Sequence, residues 1–367
     1  MINDYLPIVP NGKSSASLPM PPRERATSLK DIAQALDVSY SLVSKVMGGN
    51  MGNTRARPEV VQAIQAKARE MNYQPHPLAG ALKRGRKGAV GVLIHAMGEE
   101  GTEIASNLLR GISAGFDEHR LRLWLRFFES DDEFLEHFDK RARYDMDGVI
   151  VAGIAHPATF ELVKKLHASG LPVVSVLEGS VIPEVANVVP DVQHQGYLAT
   201  DHLLASGCKR IAHLVTTSAA DPETSRRYRG FLSAHARHGL TPDPALMFRA
   251  PNYKLSSGEE AVRQWLESGL AFDGIVAQSD HQAIGAIHEL LRRGIRVPEE
   301  VRVVGVDDSP LCLASPVPLT SVTAEWITVG RHAADMITAE IDGQRPASLM
   351  IAPHLVVRRS SIPLPHP

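Results

Sequence analysis

Residues 27–49 read TSLKDIAQALDVSYSLVSKVMGG, and their reading fixes the front of the molecule. Leu29, Ile32, Ala33 and Leu36 recur at spacings of three and four, the pattern of a helix that buries one face, and Thr27 is placed to cap it. Asp37-Val38 then makes a tight turn. Ser39 is placed to cap a second helix, Tyr40 to Met47, with Val43 and Val46 inward and Tyr40, Ser41, Ser44 and Lys45 on the other side. Two short helices across a three-residue turn form a helix-turn-helix.

Downstream, a Gly/Asn-rich loop runs from Gly48 to Arg57, and Pro58 sits where a first helical residue belongs. Val61, Ile64, Ala68 and Met71 supply the apolar stripe of a third helix, which ends at Asn72-Tyr73-Gln74-Pro75-His76-Pro77. Leu78 to Leu82 is long enough for only one and a half turns and contains Gly80, so by itself it is expected to be unfolded. A basic linker, Lys83-Arg84-Gly85-Arg86-Lys87, follows. Upstream, Pro7, Pro10, Pro19, Pro21 and Pro22, with Asp4, Asn11 and Lys13, leave no apolar run of the kind a secretory signal needs. Residues 1–25 are expected to be a disordered leader.

From Ala89 the pattern changes to buried strands alternating with amphipathic helices. Strands are expected at Ala89–His95, Arg122–Phe128, Gly148–Ala152, Val173–Leu177, Arg210–Val215, Gly274–Gln278, Val301–Val306 and Met350–Val357. Helices are expected near Glu103–Glu118, Asp131–Tyr144, Pro157–Ser169, Gln193–Ser206, Arg226–His238, Ser257–Ser268, Asp280–Arg293 and Ile327–Ile341. Such alternation over about 270 residues argues for two parallel sheets, each with helices on both faces.

The charge is divided in the same place. The whole chain of 367 residues has a formal net charge of −2. Residues 1–88 hold 13 Lys and Arg against 6 Asp and Glu, which leaves 26 against 35 in the rest. A basic front on an acidic body suggests a nucleic-acid module joined to something else. The length calls for two or three domains, and 44% hydrophobic with 22% charged residues is an ordinary globular composition. Cys208 and Cys312, far apart and with no C-x-x-C spacing, give neither a disulfide framework nor a thiolate zinc site, which fits a reducing, cytoplasmic compartment. No apolar run is long enough to span a membrane.

Five motifs in order resemble the LacI/GalR family of bacterial transcriptional regulators: residues 27–49, NYQPHPLAGALK (72–83), RRYRGF (226–231), SDHQAIGA (279–286) and VVGVDD (303–308). The resemblance covers nearly everything after Ala26. It implies an all-α helix-turn-helix DNA-binding head and an α/β body like the periplasmic binding proteins, two doubly wound parallel-sheet subdomains with a cleft at the strand C-termini. The implied boundaries are 26–75 for the head and 76–88 for a hinge helix and linker. Residues 89–188 with 322–349 would form one effector-binding subdomain, 189–321 with 350–360 the other, and 361–367 a tail.

In a helix-turn-helix the second helix enters the major groove, and by the resemblance Tyr40, Ser41 and Lys45 hold the base-reading positions. The family more often has Arg at Lys45, whose lone ammonium lacks the guanidinium fork. Thr27, Ser39 and Ser44 are candidates for phosphate contacts at caps and helix N-termini. Leu82 resembles the leucine levered into the minor groove at the operator centre, and Ala79 the small residue that lets the hinge sit there. Effector contacts carried onto this chain are Arg227, Tyr253, Asp280 and Asp307, with His95 at the first cleft loop, whose Glu99 and Glu100 make it acidic. Ser279 stands where Asn is common and Val306 where an aromatic is common, so the sugar is not named.

The implied function is a repressor of a carbohydrate-related operon, a homodimer on a near-palindromic double-stranded operator, controlled allosterically by a sugar or sugar derivative, cytoplasmic and nucleoid-associated. No catalytic residue, metal or cofactor is expected. The sequence has no G-x-S-x-G, H-E-x-x-H or Walker loop and no G-x-G-x-x-G after a strand, and His281 and His288 lack a third ligand nearby. A transport-system sugar-binding protein would need a signal peptide and no head. A partner protein as effector would be favoured by a basic first subdomain, and the acidic body argues against it.

Overall fold

The computed structural model describes residues 27–48, 56–73, 86–95, 103–128, 145–153, 157–177, 182–216 and 225–362. The leader, the hinge with Ala79 and Leu82, the acidic loop with Glu99 and Glu100, the helix expected at Asp131–Tyr144 and the end of the tail lie outside them. The chain divides into two compact units, 1–84 and 85–367.

Among its described residues the first unit has three helices, α1 (Leu29–Ala35), α2 (Tyr40–Met47) and α3 (Pro58–Glu70). They enclose Ile32, Ala33, Val43, Val46, Ile64 and Ala68, with Leu29, Leu36, Val61 and Met71 packed partly buried around them. Cap assignment corrects the sequence reading at one place: α1 is capped by Ser28, not Thr27. Asp31 stands three residues after Ser28, and its carboxylate accepts from the Ser28 N–H at 2.7 Å while the Ser28 hydroxyl accepts from the Asp31 N–H. Thr27 instead donates its hydroxyl to the Met71 carbonyl at 2.8 Å, tying the start of the head to the end of α3.

The second unit runs β1 (Ala89–His95), α4 (Ile104–His119), β2 (Arg122–Phe128), β3 (Gly148–Gly153), α5 (Pro157–Ala168), β4 (Val173–Leu177), β5 (Ala186–Pro190) and α6 (Val192–Ala205). It continues with β6 (Ile211–Thr216), α7 (Arg226–Arg237), β7 (Met247–Ala250), α8 (Leu255–Glu267), β8 (Gly274–Val276), α9 (Asp280–Arg292) and β9 (Arg302–Asp307). Last come α10 (Leu311–Ala314), β10 (Thr320–Thr323), α11 (Trp326–Ile341), β11 (Leu349–Ile351) and β12 (Leu355–Val356).

Two six-stranded sheets result, ordered β11-β5-β4-β3-β1-β2 and β12-β10-β9-β8-β6-β7. The first is parallel throughout; in the second only β12 runs antiparallel, against β10. Within each sheet five strands repeat the doubly wound order 2-1-3-4-5, so each has its switch point at the C-terminal ends of its first and third strands. Those ends are His95 and Gly153 in one sheet, Thr216 and Val276 in the other.

Three strands escaped the sequence reading. β5 is interrupted by Asn187 and closed by Pro190, residues that read as turn formers, yet it is wholly buried. Asn187 is accommodated because its side chain bonds the Leu177 N–H and carbonyl and the Ser175 hydroxyl at 2.8–3.0 Å. β7 is a short edge strand and β10, Thr-Ser-Val-Thr, carries mostly hydroxyls. The single strand expected over Met350–Val357 is two short ones, β11 and β12, one in each sheet.

The chain passes between the sheets after β5, after β10 and after β11. These crossovers are bonded together: the Asp191 N–H donates to the Ile351 carbonyl at 2.9 Å and the Thr323 N–H to the His354 carbonyl at 2.8 Å. Beyond β12, Ser360 and Ser361 are fully buried in the second sheet's layers. Ser360 accepts from the Thr320 N–H and donates to the Val303 carbonyl, and the Ser361 hydroxyl lies 2.8 Å from His202 Nε2.

Candidate functional sites

In the first unit α2 carries the outward face. Val43 and Val46 are buried, while Tyr40 is 52% exposed, Ser41 is exposed and Lys45 is half-buried beside them. The Ser39 hydroxyl accepts from the Leu42 N–H at 3.2 Å, fixing the first turn of α2. Of the three phosphate candidates, Ser39 and Ser44 lie on this helix, whereas the Thr27 hydroxyl is bonded to Met71. Tyr73 packs partly buried on the same core, and burial together with the neighbouring Tyr40 raises its phenol above the ordinary value.

In the second unit the site residues gather at strand ends. His95 closes β1 and is buried. Gly153 opposes it at φ 145°, and a Cβ there would lie 2.0 Å from the His95 carbonyl oxygen, so the two strand ends can approach this closely only with glycine. Asp307 closes β9 with φ 108° and Asp308 follows at φ 51°, an unusual pair of backbone angles for side-chain-bearing residues. The Asp308 carboxylate is paired with Arg358 at 2.7 Å.

Asp280 begins α9 after the Ser279 cap and is only 1% exposed. Both of its oxygens are occupied from within the protein, one by the Ser309 N–H at 2.7 Å and the other by the Ser321 hydroxyl at 2.5 Å. It therefore stands behind Asp307, joining α9 to the loop after β9 and to β10. Burial pushes both carboxyls above their ordinary range; at Asp307 the charge of Asp280 adds to that rise and the Arg227 guanidinium opposes it, leaving Asp307 at about 8. The Asp280–Asp307 pair therefore holds a proton more readily than a free carboxylate does.

Arg227, at the start of α7, donates its Nε–H to the Gln195 side-chain oxygen at 3.0 Å. Gln195 lies on the first turns of α6, is fully buried, and donates its amide to the Thr323 carbonyl at 3.0 Å. The next residue, Gly196, sets the spacing of α6 and α7: a Cβ there would fall 2.0 Å from the Arg227 carbonyl oxygen. Tyr253, half-buried, accepts from the Ser279 hydroxyl at its carbonyl. Behind it Gln278 and Gln282 knit β6, α7 and the Asn252 loop together, Gln282 donating to the Thr216 hydroxyl and the Asn252 carbonyl.

The structure thus brings Asp280, Asp307 and Arg227 into one electrostatic group on the second sheet, and places His95 at the switch point of the first. Gln195 was missed by sequence reasoning, since no spacing or motif distinguishes it from the other polar residues of α6. Among the described residues no three His, Cys, Asp or Glu are grouped to hold a metal ion, and no helix is long and apolar enough to cross a membrane.

Residues 200–361 match the family model of the periplasmic binding protein-like domain. The chain is 28% identical over 338 residues to the transcriptional regulator GntR of Pseudomonas aeruginosa, covering 91% of this chain and 95% of that one. It is 25% identical over 337 residues to catabolite control protein A of Priestia megaterium, covering 91% and 98%. Among solved structures, the lac repressor dimer bound to operator and an anti-inducer superposes with a TM-score of 0.73 at 19% identity, over 92% of this chain and all of that one. The complex of the transcriptional regulator CelR with cellobiose gives 0.66 at 24% identity, over 91% and 100%.

Proposed function

The chain belongs to the LacI/GalR family of transcriptional regulators, and from that premise we propose that it is a repressor of a carbohydrate-related operon, acting as a homodimer on a near-palindromic operator under the control of a sugar or sugar derivative. It is not an enzyme. One observation carries the reading: a single chain holds both a capped recognition helix, with Tyr40, Ser41 and Lys45 turned outward, and a two-sheet body whose strand ends gather Arg227 and Asp307.

Each half follows from its chemistry. Lys45 donates to guanine O6 and N7, Ser41 serves either base class, and Ser39 and Ser44 supply backbone-phosphate contacts that position without specifying. A three-helix head alone makes few contacts, so a two-fold pair of heads is needed to read a site tightly. Arg227 donates to ligand oxygens beside the Asp307 carboxyl, Tyr253 offers an aromatic face, and His95 answers from the other sheet. A ligand that prefers one arrangement of the two sheets shifts the population toward it, and nothing else about its affinity matters to the switch. Leu82 and Ala79 are assigned to the minor groove by the resemblance. Repression of an operon places the protein on chromosomal DNA in the cytoplasm.

The test is selection of bound sequences from a random duplex pool with the full chain. A two-fold related motif is expected, and Lys45→Ala should relax its base preference within each half-site. Release of the selected duplex is then scored against neutral sugars and sugar acids, with Arg227→Ala retaining the duplex and losing the response. Failure to enrich any motif would defeat the regulator reading.

A further inference from the structure

The first turn of α6 touches every crossover between the two sheets. Asp191, which caps it, lies on the first crossover and donates its N–H to Ile351 on the third. Gln195, one turn later, donates to the Thr323 carbonyl on the second. The second and third are joined directly: the His354 N–H donates to the Thr323 hydroxyl at 3.0 Å, and the Thr323 N–H to the His354 carbonyl. His354 Nδ1 in turn lies 3.0 Å from Glu325, which leads into α11 on the first sheet's side with φ 52°. The Arg227 guanidinium, which opposes the rise at Asp307, is held by the same glutamine that holds the second crossover.

We propose that Gln195 is the positioning residue that transmits the state of Arg227 to the crossovers, so that whatever engages the guanidinium acts on them through one buried amide. This rests on the assignment of Arg227 to the effector site. The geometry permits little else. Gln195 is fully buried, so water does not substitute for either partner, and an amide with one end unpaired there loses the desolvation cost of a buried polar group. The backbone of Arg227 is pressed against Gly196, so α7 does not slide along α6 to relieve a displaced guanidinium. Rotation of the Gln195 side chain strengthens one of these bonds at the expense of the other. The amide performs both tasks at once, since its oxygen accepts from the guanidinium and its nitrogen donates to the carbonyl.

Hydrogen exchange on the full chain tests this without operator or effector, so a negative result leaves the regulator reading standing. Gln195→Glu keeps an acceptor for Arg227 and puts a carboxylate against the Thr323 carbonyl. Exchange in segments 320–326 and 351–357 should rise about tenfold or more, with protection in the β3 and β8 cores unchanged. Arg227→Ala should raise exchange in the same two segments, which Gln195 links to it. In a Gln195→Ala background, Arg227→Ala should add nothing further. Additive effects in that cycle, or crossover exchange unmoved by Gln195→Glu or by Arg227→Ala, would overturn the proposal.

Discussion

The outward face of α2 and the polar cluster at the strand ends of the second sheet are built on opposite principles. Tyr40, Ser41 and Lys45 stand on a helix already secured by Val43, Val46 and the Ser39 cap, and their outward groups do little for the fold. Arg227, Gln195, Asp280 and Asp307 are packed, bonded and charged against one another, so the fold and the site are the same set of contacts. An exposed reader can be exchanged residue by residue while the scaffold persists. A residue bonded into such a cluster changes only with its neighbours. That contrast suits a regulator whose DNA preference and ligand response are altered separately.

Gly196→Ala presses hardest on this contrast. The added methyl meets a backbone carbonyl rather than a flexible side chain, so α6 and α7 must separate. A loss of about 3 kcal/mol or more is expected in denaturant unfolding of the second unit, and a loss under about 1 kcal/mol would show the helix pair to be compliant.

Two titratable groups, His213 buried and Asp307 half-buried, should give pH profiles of opposite slope. His213 on β6 is stacked on Phe231 at 4.4 Å and Tyr228 at 5.6 Å, and burial lowers it from 6.5 to about 3. The unfolded chain therefore binds more protons across that interval, and stability falls as pH drops from about 6.5 toward 3. Asp307 is raised from 3.8 to about 8, so the folded state binds the extra proton and stability falls as pH rises from about 4 toward 8. His213→Leu should flatten the acid limb of a melting-temperature profile, and Asp307→Asn the alkaline limb. A change on the wrong limb would contradict the assignment. Each kcal/mol relieved is worth about 2–4 °C in a domain of this size.

The head supplies the smallest effects and the sharpest separation. Ser39→Ala removes a cap and should cost about 1 kcal/mol in thermal unfolding of the head. Tyr40→Ala, which takes away an exposed ring, should stay within about 0.5 kcal/mol while altering operator preference. Equal stability losses for the two would show that Tyr40 belongs to the core.

The same contrast governs what could be read from the sequence. The head was legible almost entirely, because its helices are short, local and capped by adjacent residues. The one slip, Thr27 for Ser28, turned on which of two neighbouring hydroxyls has Asp31 at the right distance. In the body, the repeated strand–helix alternation was visible in apolar runs such as Gly148–Ala152, but β5 and β10 were not, since Asn187, Thr320, Ser321 and Thr323 satisfy their polar atoms through partners distant in sequence. For the site, Arg227 and Asp307 lay in motifs with a known form. Asp280 shared such a motif, yet its buried bonds to Ser309 and Ser321 depend on a loop and strand that the motif does not contain. Gln195 had no local signal at all, since its role is defined by Arg227 and Thr323, 32 and 128 residues away.

The burial of Ser360 and Ser361 has a consequence for synthesis. The described helices α1–α3 are complete once residue 73 has emerged, whereas the second sheet lacks β12 and its serine anchors until residue 361 has been made. At roughly 5–20 residues per second, the interval is about 15–60 s. Throughout it the growing chain carries a folded helical unit ahead of a second sheet that still lacks the hydroxyls bonded to Val303 and Thr320.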